Sequence, residues 1–114
     1  MEQPYTVTLA ETALWSLQDV ESFKINFMSS VQAAAFVDEL LLSSVRAISE
    51  DPKRYRPNQM LADNGLLIRE RIDITSQYRC LYEFDMQTNN VVILLFISTA
   101  QDLEKTLYRY YILR

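Results

Sequence analysis

Hydrophobic and polar positions alternate near the start of the chain. In the segment YTVTL, Tyr5, Val7 and Leu9 point one way, while Thr6 and Thr8 point the other way. A period of two is typical of a strand that buries one face. The pattern therefore predicts a first strand over these residues.

The period then changes to that of a helix. Apolar residues recur at helical spacing from about Glu11 to about Asn26, and again from Ser29 to about Glu50. The predicted inner faces carry Leu14, Leu17, Val20 and Phe27, widened by Trp15 and Phe23, in the first helix, and Ala33, Val37, Leu40, Leu41, Val45 and Ile48 in the second. Ser29 stands three residues before Gln32, which is a capping-box pattern. Two such helices joined by a short connection predict an antiparallel hairpin that packs on a sheet.

Three more strands are predicted after the polar connection DPKRYRPNQMLADNG. Their bounds are about Leu67–Ile74, Tyr78–Asp85 and Val91–Ile97. The last strand is apolar on both faces, as a central strand covered twice would be. A short C-terminal helix is predicted to begin at a second capping-box pattern, Ser98 to Gln101. The order predicts one α+β domain over the 114 residues, with a helical hairpin on one face of a small twisted antiparallel sheet (β-α-α-β-β-β-α).

Charged residues concentrate in the segment ERIDITSQYRCLYEFD. A three-residue TSQ connection would place Ile72 opposite Cys80 on the apolar face that covers the helices. The same register would place Arg69, Arg71 and Arg79 together on the opposite face, which we expect to be exposed. These arginines either form cross-strand ion pairs with neighbouring carboxylates or bind phosphate or a carboxylate-rich partner. The pattern alone leaves both interpretations open.

The composition excludes several kinds of chemistry. The chain has no histidine, one cysteine and one glycine, so the commonest general base, a multi-cysteine zinc site and a Gly-rich phosphate loop are all missing. We therefore expect no cofactor and no metal. The longest apolar run, VVILLFI, is far shorter than a membrane span, which needs about 20 residues. We expect a cytoplasmic protein with no membrane contact, and the net charge of −4 argues against a role based mainly on phosphate neutralisation.

The whole chain resembles the RelE/ParE superfamily of bacterial toxins, from type II toxin–antitoxin modules. The resemblance rests on the order of ALWSLQDVESF…SSVQAAAFVDELLLSSVRAISEDPKRYRP, GLLIRERI and NNVVILLFISTAQD, and most of all on the YR-x-x-Y step that begins at Tyr78 and the closing I-x-x-x-x-D. It implies a helical hairpin on a twisted antiparallel sheet, and a cognate antitoxin as partner.

The resemblance implies two alternative activities. The ParE-like branch inhibits DNA gyrase; the hairpin of about 40 residues and the aspartate after the last strand are similar to that branch, which we favour. The RelE-like branch cleaves mRNA on the ribosome. There the resemblance assigns catalytic roles to Arg69, Arg71, Arg79 and Tyr108, although Gln101 or Asp102 stands where a further arginine is expected. A third possibility is a non-toxic interaction module on the same scaffold.

The C-terminal segment YRYYILR carries candidate partner contacts. Arg109 and Tyr111, together with the three strand arginines, are predicted to bind the partner. Tyrosines at helical spacing, however, more often dock a terminal helix on its own domain. Cys80, which is predicted on the buried face, is interpreted as a core residue.

Overall fold

The structure, a computed structural model, describes residues 4–110. Within that range the elements are β1 (Thr6–Leu9), α1 (Glu11–Lys24), α2 (Ser30–Glu50), α3 (Gln59–Asp63), β2 (Arg69–Asp73), β3 (Tyr78–Asp85), β4 (Asn90–Ser98) and α4 (Leu103–Arg109). This order confirms the predicted α+β architecture. The short helix α3, inside the polar connection, was not predicted.

The four strands form one sheet in the order β1-β4-β3-β2. The three-stranded meander β2-β3-β4 is antiparallel, as predicted. β1 joins the edge of β4 in the parallel orientation. The connection from β1 back to the sheet is long enough for this orientation because the helical hairpin lies within it.

The register between β2 and β3 differs by one residue from the prediction. Ile72 lies opposite Arg79 instead of opposite Cys80. Because successive side chains of a strand point to opposite faces, a one-residue slip moves every side chain of β2 to the other face. The prediction that Arg69, Arg71 and Arg79 share one face is therefore wrong.

The turn between β2 and β3 sets this register. Asp73 pairs with Tyr78, so the connection has four residues instead of the three that the sequence suggested. Oδ1 of Asp73 accepts a hydrogen bond from the N–H of Thr75 at 3.1 Å, and its carbonyl accepts one from the N–H of Gln77 at 2.9 Å. Gln77 closes the turn with a φ of 63°, in the left-handed region.

The β3–β4 turn repeats this arrangement. Oδ1 of Asp85 accepts a hydrogen bond from the N–H of Gln87 at 2.9 Å, and Asn89 has a φ of 58°. The backbone hydrogen bond from Gln87 is the main cause that holds the pKa of Asp85 below its usual value, with a smaller contribution from the side chain of Thr88. An aspartate thus begins each turn because its carboxylate can bond the backbone two residues on.

β4 supplies side chains to apolar cores on both faces of the sheet. Leu81 lies opposite Leu95 and Tyr82 opposite Ile93, so Leu94 is one extra residue in β4. The hairpin core comprises Ala13, Leu17, Val20, Val37, Leu40, Ile48, Tyr78, Cys80, Tyr82, Val91, Ile93 and Phe96. The outer core comprises Leu61, Ile68, Leu81, Leu95, Ile97, Leu107 and Tyr110. The prediction of a strand covered on both faces is confirmed.

α1 buries only part of the predicted stripe: Leu17 and Val20 are buried as predicted. Its buried residues are Ala13, Ser16, Leu17 and Val20, whereas Leu14, Trp15, Phe23 and the following Phe27 are exposed. The small residues face the sheet because α1 lies against β4. There, Oγ1 of Thr12 donates to the carbonyl of Leu94, and Oγ of Ser16 accepts from the N–H of Phe96 at 3.0 Å. These hydroxyls satisfy backbone groups on the part of β4 that lies beyond β1.

α2 agrees with the sequence in its bounds and in its start. Ser29 accepts a hydrogen bond from the N–H of Gln32 at 3.1 Å, and the Gln32 side chain accepts one from the N–H of Ser29, also at 3.1 Å. This is the predicted capping box. Ala33, Val37, Leu40 and Ile48 of its predicted inner face are buried.

The face opposite the hairpin, which we expected to be bare, is covered by α3 and α4. Asn58 caps α3 by accepting from the N–H of Leu61 at 3.0 Å, and Gly65 ends it with a φ of +81°. Glycine adopts this conformation without a Cβ clash. The N-cap of α4 is Asp102, whose carboxylate accepts from the N–H of Lys105 at 3.1 Å, and not the predicted Ser98. Aspartate makes this bond because its oxygen reaches the third residue of the helix.

Candidate functional site

Arg69 is held by the chain itself, on the hairpin side of the sheet. Its Nη1 donates to the carbonyl of Tyr55 at 2.7 Å and to that of Lys53 at 3.3 Å. Pro57 also pairs with Arg69 in an isolated bridge. Arg69 therefore fixes the path of the loop after α2, and its guanidinium makes these hydrogen bonds within the chain.

Arg71 also lies on the hairpin side. Its Nη1 is 3.4 Å from Oγ of the buried Ser44 in α2. The neighbouring Cys80 is fully enclosed, and burial raises the pKa of its thiol well above the usual range although Arg71 partly offsets the effect. A protonated, enclosed thiol is a core residue, as the sequence suggested, and not a nucleophile.

Arg79 lies on the other face, beneath α3. Its Nη1 is 2.8 Å from Oε2 of Glu70, and both side chains are 18% exposed. Asn58, the cap of α3, donates to the same oxygen at 3.2 Å. Nε of Arg79 is buried and has no partner among the described residues. Glu70 is therefore half of an ion pair on this face of the sheet.

Two of the C-terminal candidates, Tyr108 and Arg109, lie on α4. Tyr108 is 49% exposed. Arg109 donates to Oδ2 of Asp19 in α1 at 3.2 Å, and the Tyr110 hydroxyl donates to the same oxygen. One carboxylate of α1 thus fastens the end of α4. Tyr111 lies outside the described residues.

The predicted nuclease residues do not form one cluster in the described structure. Arg69 and Arg71 are engaged on the hairpin side of the sheet, and Arg79 is engaged on the other side. A phosphate group cannot contact guanidiniums that point to opposite faces of one sheet. Their individual roles in binding or catalysis stay predictions.

Three tyrosine hydroxyls in the structure keep their protons at neutral pH. The Tyr82 hydroxyl donates to the carbonyl of Pro52 at 2.6 Å, and burial is the main cause that raises its pKa. Burial also raises the pKa of Tyr78. Burial, and then the bond to Asp19, raise the pKa of Tyr110 to about 12. Among residues 4–110 there is no group of three or more side chains suited to a metal ion.

Two concave surfaces flank the hairpin. A cleft of about 480 Å³ opens between α1, the ends of β3 and β4, and α4; its lining includes Asp19, Lys24, Ser76, Phe96 and Arg109. A wider groove of about 810 Å³ runs between α2 and the edge strand β2; its lining includes Phe27, Phe36, Leu40, Arg71 and Asp73. Volumes of this order are typical of pockets that bind a small ligand or the side chains of a partner protein.

Sequence reasoning missed Asp19 and Asn58, which organise the outer layer. The signal for α3 was present, because Asn58 and Gly65 have the residue types of an N-cap and of a helix end. Asp19 had no signal, since its partners lie about 90 residues away in sequence. Only the packing of α4 on α1 creates that contact.

Comparison with solved structures identifies the architecture. A chain of the chromosomal ParDE toxin–antitoxin system from P. aeruginosa superposes with a TM-score of 0.68 at 10% identity, covering 85% of this chain and 98% of that one. The chain has the RelE/ParE toxin fold. No family model and no curated protein matches the sequence.

Two more toxin–antitoxin structures have the RelE/ParE fold found here. The RelBE2 complex from Mycobacterium tuberculosis gives a TM-score of 0.57 at 24% identity, covering 89% of this chain and 98% of its own. The isolated RelE toxin of E. coli gives 0.53 at 16% identity, covering 96% and 99%. In residues 4–110, no helix has the length and apolar character needed to cross a membrane.

Proposed function

We propose that this protein is the toxin of a type II toxin–antitoxin module. Its action is ParE-like: it arrests bacterial growth in the cytoplasm by binding DNA gyrase, and a cognate antitoxin neutralises it. The RelE/ParE fold supports the toxin assignment. The TM-score is higher to the ParDE chain than to the two RelE-type chains, which supports the ParE-like branch.

The separation of the arginines is the observation that carries the choice of branch. RelE-like cleavage requires several cations around one phosphate. Arg69 and Arg71 contact the loop and α2, while Arg79 contacts Glu70 on the opposite face. An inhibitor that acts by docking on gyrase needs no such cluster.

Purified gyrase provides the test of this target. We expect micromolar protein to inhibit supercoiling of relaxed plasmid DNA and to leave ribosome-bound mRNA intact. Addition of the product of an adjacent antitoxin gene should restore supercoiling. Full supercoiling activity at saturating protein would rule out gyrase as the target.

RelE-like cleavage of mRNA on the ribosome is the alternative function. It is favoured by the match of Arg69, Arg71, Arg79 and Tyr108 to the resembled catalytic positions and by the 24% identity to the RelBE2 chain. The test is primer extension on ribosome-bound message, with Tyr108→Phe as the diagnostic variant. New 5′ ends that depend on Tyr108 would establish this branch in place of gyrase inhibition.

An interaction module that has lost toxicity is the third candidate. The engagement of all three strand arginines within the chain supports it. Induction in a bacterium without the antitoxin separates it from both toxins, because only a toxin reduces colony formation. Unimpaired growth at confirmed expression would establish the module and exclude the toxin assignment.

The antitoxin is the partner whose contacts we assign to Arg109 and Tyr111, together with Arg69, Arg71 and Arg79. Arg109 is the most accessible described member: its side chain is 63% exposed, and its one salt bridge within residues 4–110 is to Asp19. We expect Arg109→Glu to weaken the antitoxin complex more than Arg46→Glu, which alters an exposed arginine on α2. Calorimetric titration of the two variants measures the difference.

A further inference from the structure

The cleft between α1 and α4 contains a lysine without an anionic partner among the described residues. Nζ of Lys24 lies 4.5 Å from the ring centroid of Phe36 and 5.7 Å from that of Tyr78. Neither of the two salt bridges in residues 4–110 includes Lys24. The rings hold the ammonium group in place by cation–π attraction and leave its charge available to a ligand.

The floor of the same cleft is apolar. Val20 and Phe96 belong to the hairpin core and line the cleft, and Phe23 lines it while remaining 55% exposed. A volume of about 480 Å³ accommodates an aromatic or branched aliphatic group. Transfer of an apolar ligand group from water into this cleft is therefore favourable.

The polar side chains of the cleft determine which charge its ligand must carry. Oγ of Ser76 is buried, lines the cleft and has no hydrogen-bond partner in the described part of the chain. The carboxylate of Asp19 is already bound by Arg109 and by Tyr110. The free charge of the cleft is therefore the positive charge of Lys24, in a chain whose net charge is −4.

We propose that this cleft binds an apolar group that carries a carboxylate, as a peptide presents when leucine or phenylalanine lies beside aspartate or glutamate. The carboxylate contacts the ammonium of Lys24, while the apolar group covers Phe96. The identification of that peptide as an antitoxin segment rests on the proposed function. The binding site itself does not.

Small probes test the site on the full wild-type chain. Heteronuclear NMR titration with 3-phenylpropionate should shift the backbone amides of Lys24, Gln77 and Gln101. The cation of similar size, 3-phenylpropylamine, should bind about 3-fold or more weakly, because Lys24 repels its ammonium and attracts the carboxylate of 3-phenylpropionate. Equal affinity for the two probes, shifts that map elsewhere, or no binding up to about 20 mM would overturn the proposal.

Matched lysine variants locate the charge. Lys24→Met keeps the aliphatic stem and removes the ammonium, and we expect about 3- to 5-fold weaker binding of 3-phenylpropionate. Lys105→Met removes an exposed lysine of α4 outside the lining and should leave the affinity unchanged. An equal loss in both variants would refute the role of Lys24. If Lys24→Met fails to fold, the comparison of the two probes on wild-type protein still decides.

The outcome is separable from the toxin assignment. Growth arrest without probe binding would refute the proposed binding site in the cleft and leave the proposed function intact. Charge-selective probe binding in a chain that does not arrest growth would support the binding site and refute the identification of its ligand as an antitoxin segment.

Discussion

At the residue scale, the ion pair of Glu70 and Arg79 gives one of the strand arginines the cross-strand partner that the sequence pattern allowed. Glu70 is not buried among apolar groups, and Arg79 is not a free guanidinium. Asn58 joins the pair to the cap of α3. The pair therefore ties the edge strand to the outer layer.

Removal of only one partner should be costly. We expect Glu70→Ala to reduce the free energy of unfolding by about 2 kcal/mol, because it leaves the partly buried guanidinium of Arg79 uncompensated. The double variant Glu70→Met with Arg79→Met should lose less than the single one. Asp38→Ala, on the exposed face of α2, should stay within about 0.5 kcal/mol of wild type. Urea denaturation measures all three, and a smaller loss for Glu70→Ala than for the double variant would refute the argument.

Tyr110 gives the protein a specific sensitivity to high pH. Its pKa is raised from 10.0 to about 12 in the folded state, chiefly by burial and then by Asp19. The folded state therefore holds the proton more tightly than the unfolded chain, so this contribution is complete below pH 10 and is lost as the pH rises toward about 12.

Thermal denaturation between pH 10 and 12 tests this dependence. We expect the melting temperature of wild type to fall more steeply with pH than that of Tyr110→Phe, which has no hydroxyl to ionise. Tyr108→Phe changes the exposed neighbour and should follow wild type. Parallel curves for wild type and Tyr110→Phe would show that the Asp19 contact does not couple to folding.

At the element scale, the turns determine which side chains share a face. Both hairpin turns use an aspartate at the start and a residue with positive φ at the end. In β2 this arrangement sets the register by which Arg71 faces α2. Turn geometry, and not the hydrophobic pattern of β2, decides the location of its charges.

Gln77 is the residue of the first turn that is least suited to its backbone conformation. We expect Gln77→Gly to stabilise the protein by about 0.5 kcal/mol, because glycine adopts a φ of 63° without steric cost. The gain is reduced by the lost hydrogen bond from the Gln77 side chain to the carbonyl of Ile74. Gln87→Gly, at a turn position without positive φ, should instead destabilise. Chemical denaturation of both variants provides the measurement.

At the scale of the whole molecule, the sheet is a central layer with helices on both sides. The hairpin core and the outer core meet at β4, whose side chains point to both faces of the sheet. In the described part of the chain the outer layer comprises the short helices α3 and α4, and Leu61 and Leu107 are fully buried beneath them. These helices are therefore part of the folded core.

Leu61 provides the test of that statement. We expect Leu61→Ala to cost about 2–4 kcal/mol, because the side chain is fully buried between α3 and the sheet. Leu67→Ala, at a position that is 66% exposed, should change stability by less than about 0.5 kcal/mol. A similar, small effect of both substitutions would mean that α3 contributes no packing to the folded state.

Local chemistry in the sequence determined the elements and much of the architecture. The capping box at Ser29, the apolar stripe of α2 and the doubly apolar pattern of β4 each depend on neighbouring residues alone, and each is present in the structure. The order of strands and helices follows from these signals because each amphipathic element requires a partner layer.

The tertiary structure alone determined which side chains share a face of a helix or strand and which residues distant in sequence come into contact. The burial of Ser16 in place of Leu14 depends on how closely α1 approaches β4, and a hydrophobicity pattern does not contain that distance. The contact of Asp19 with α4 joins residues about 90 positions apart. The separation of Arg69 from Arg79 follows from one extra residue in a turn, since a strand changes its side-chain face at every residue.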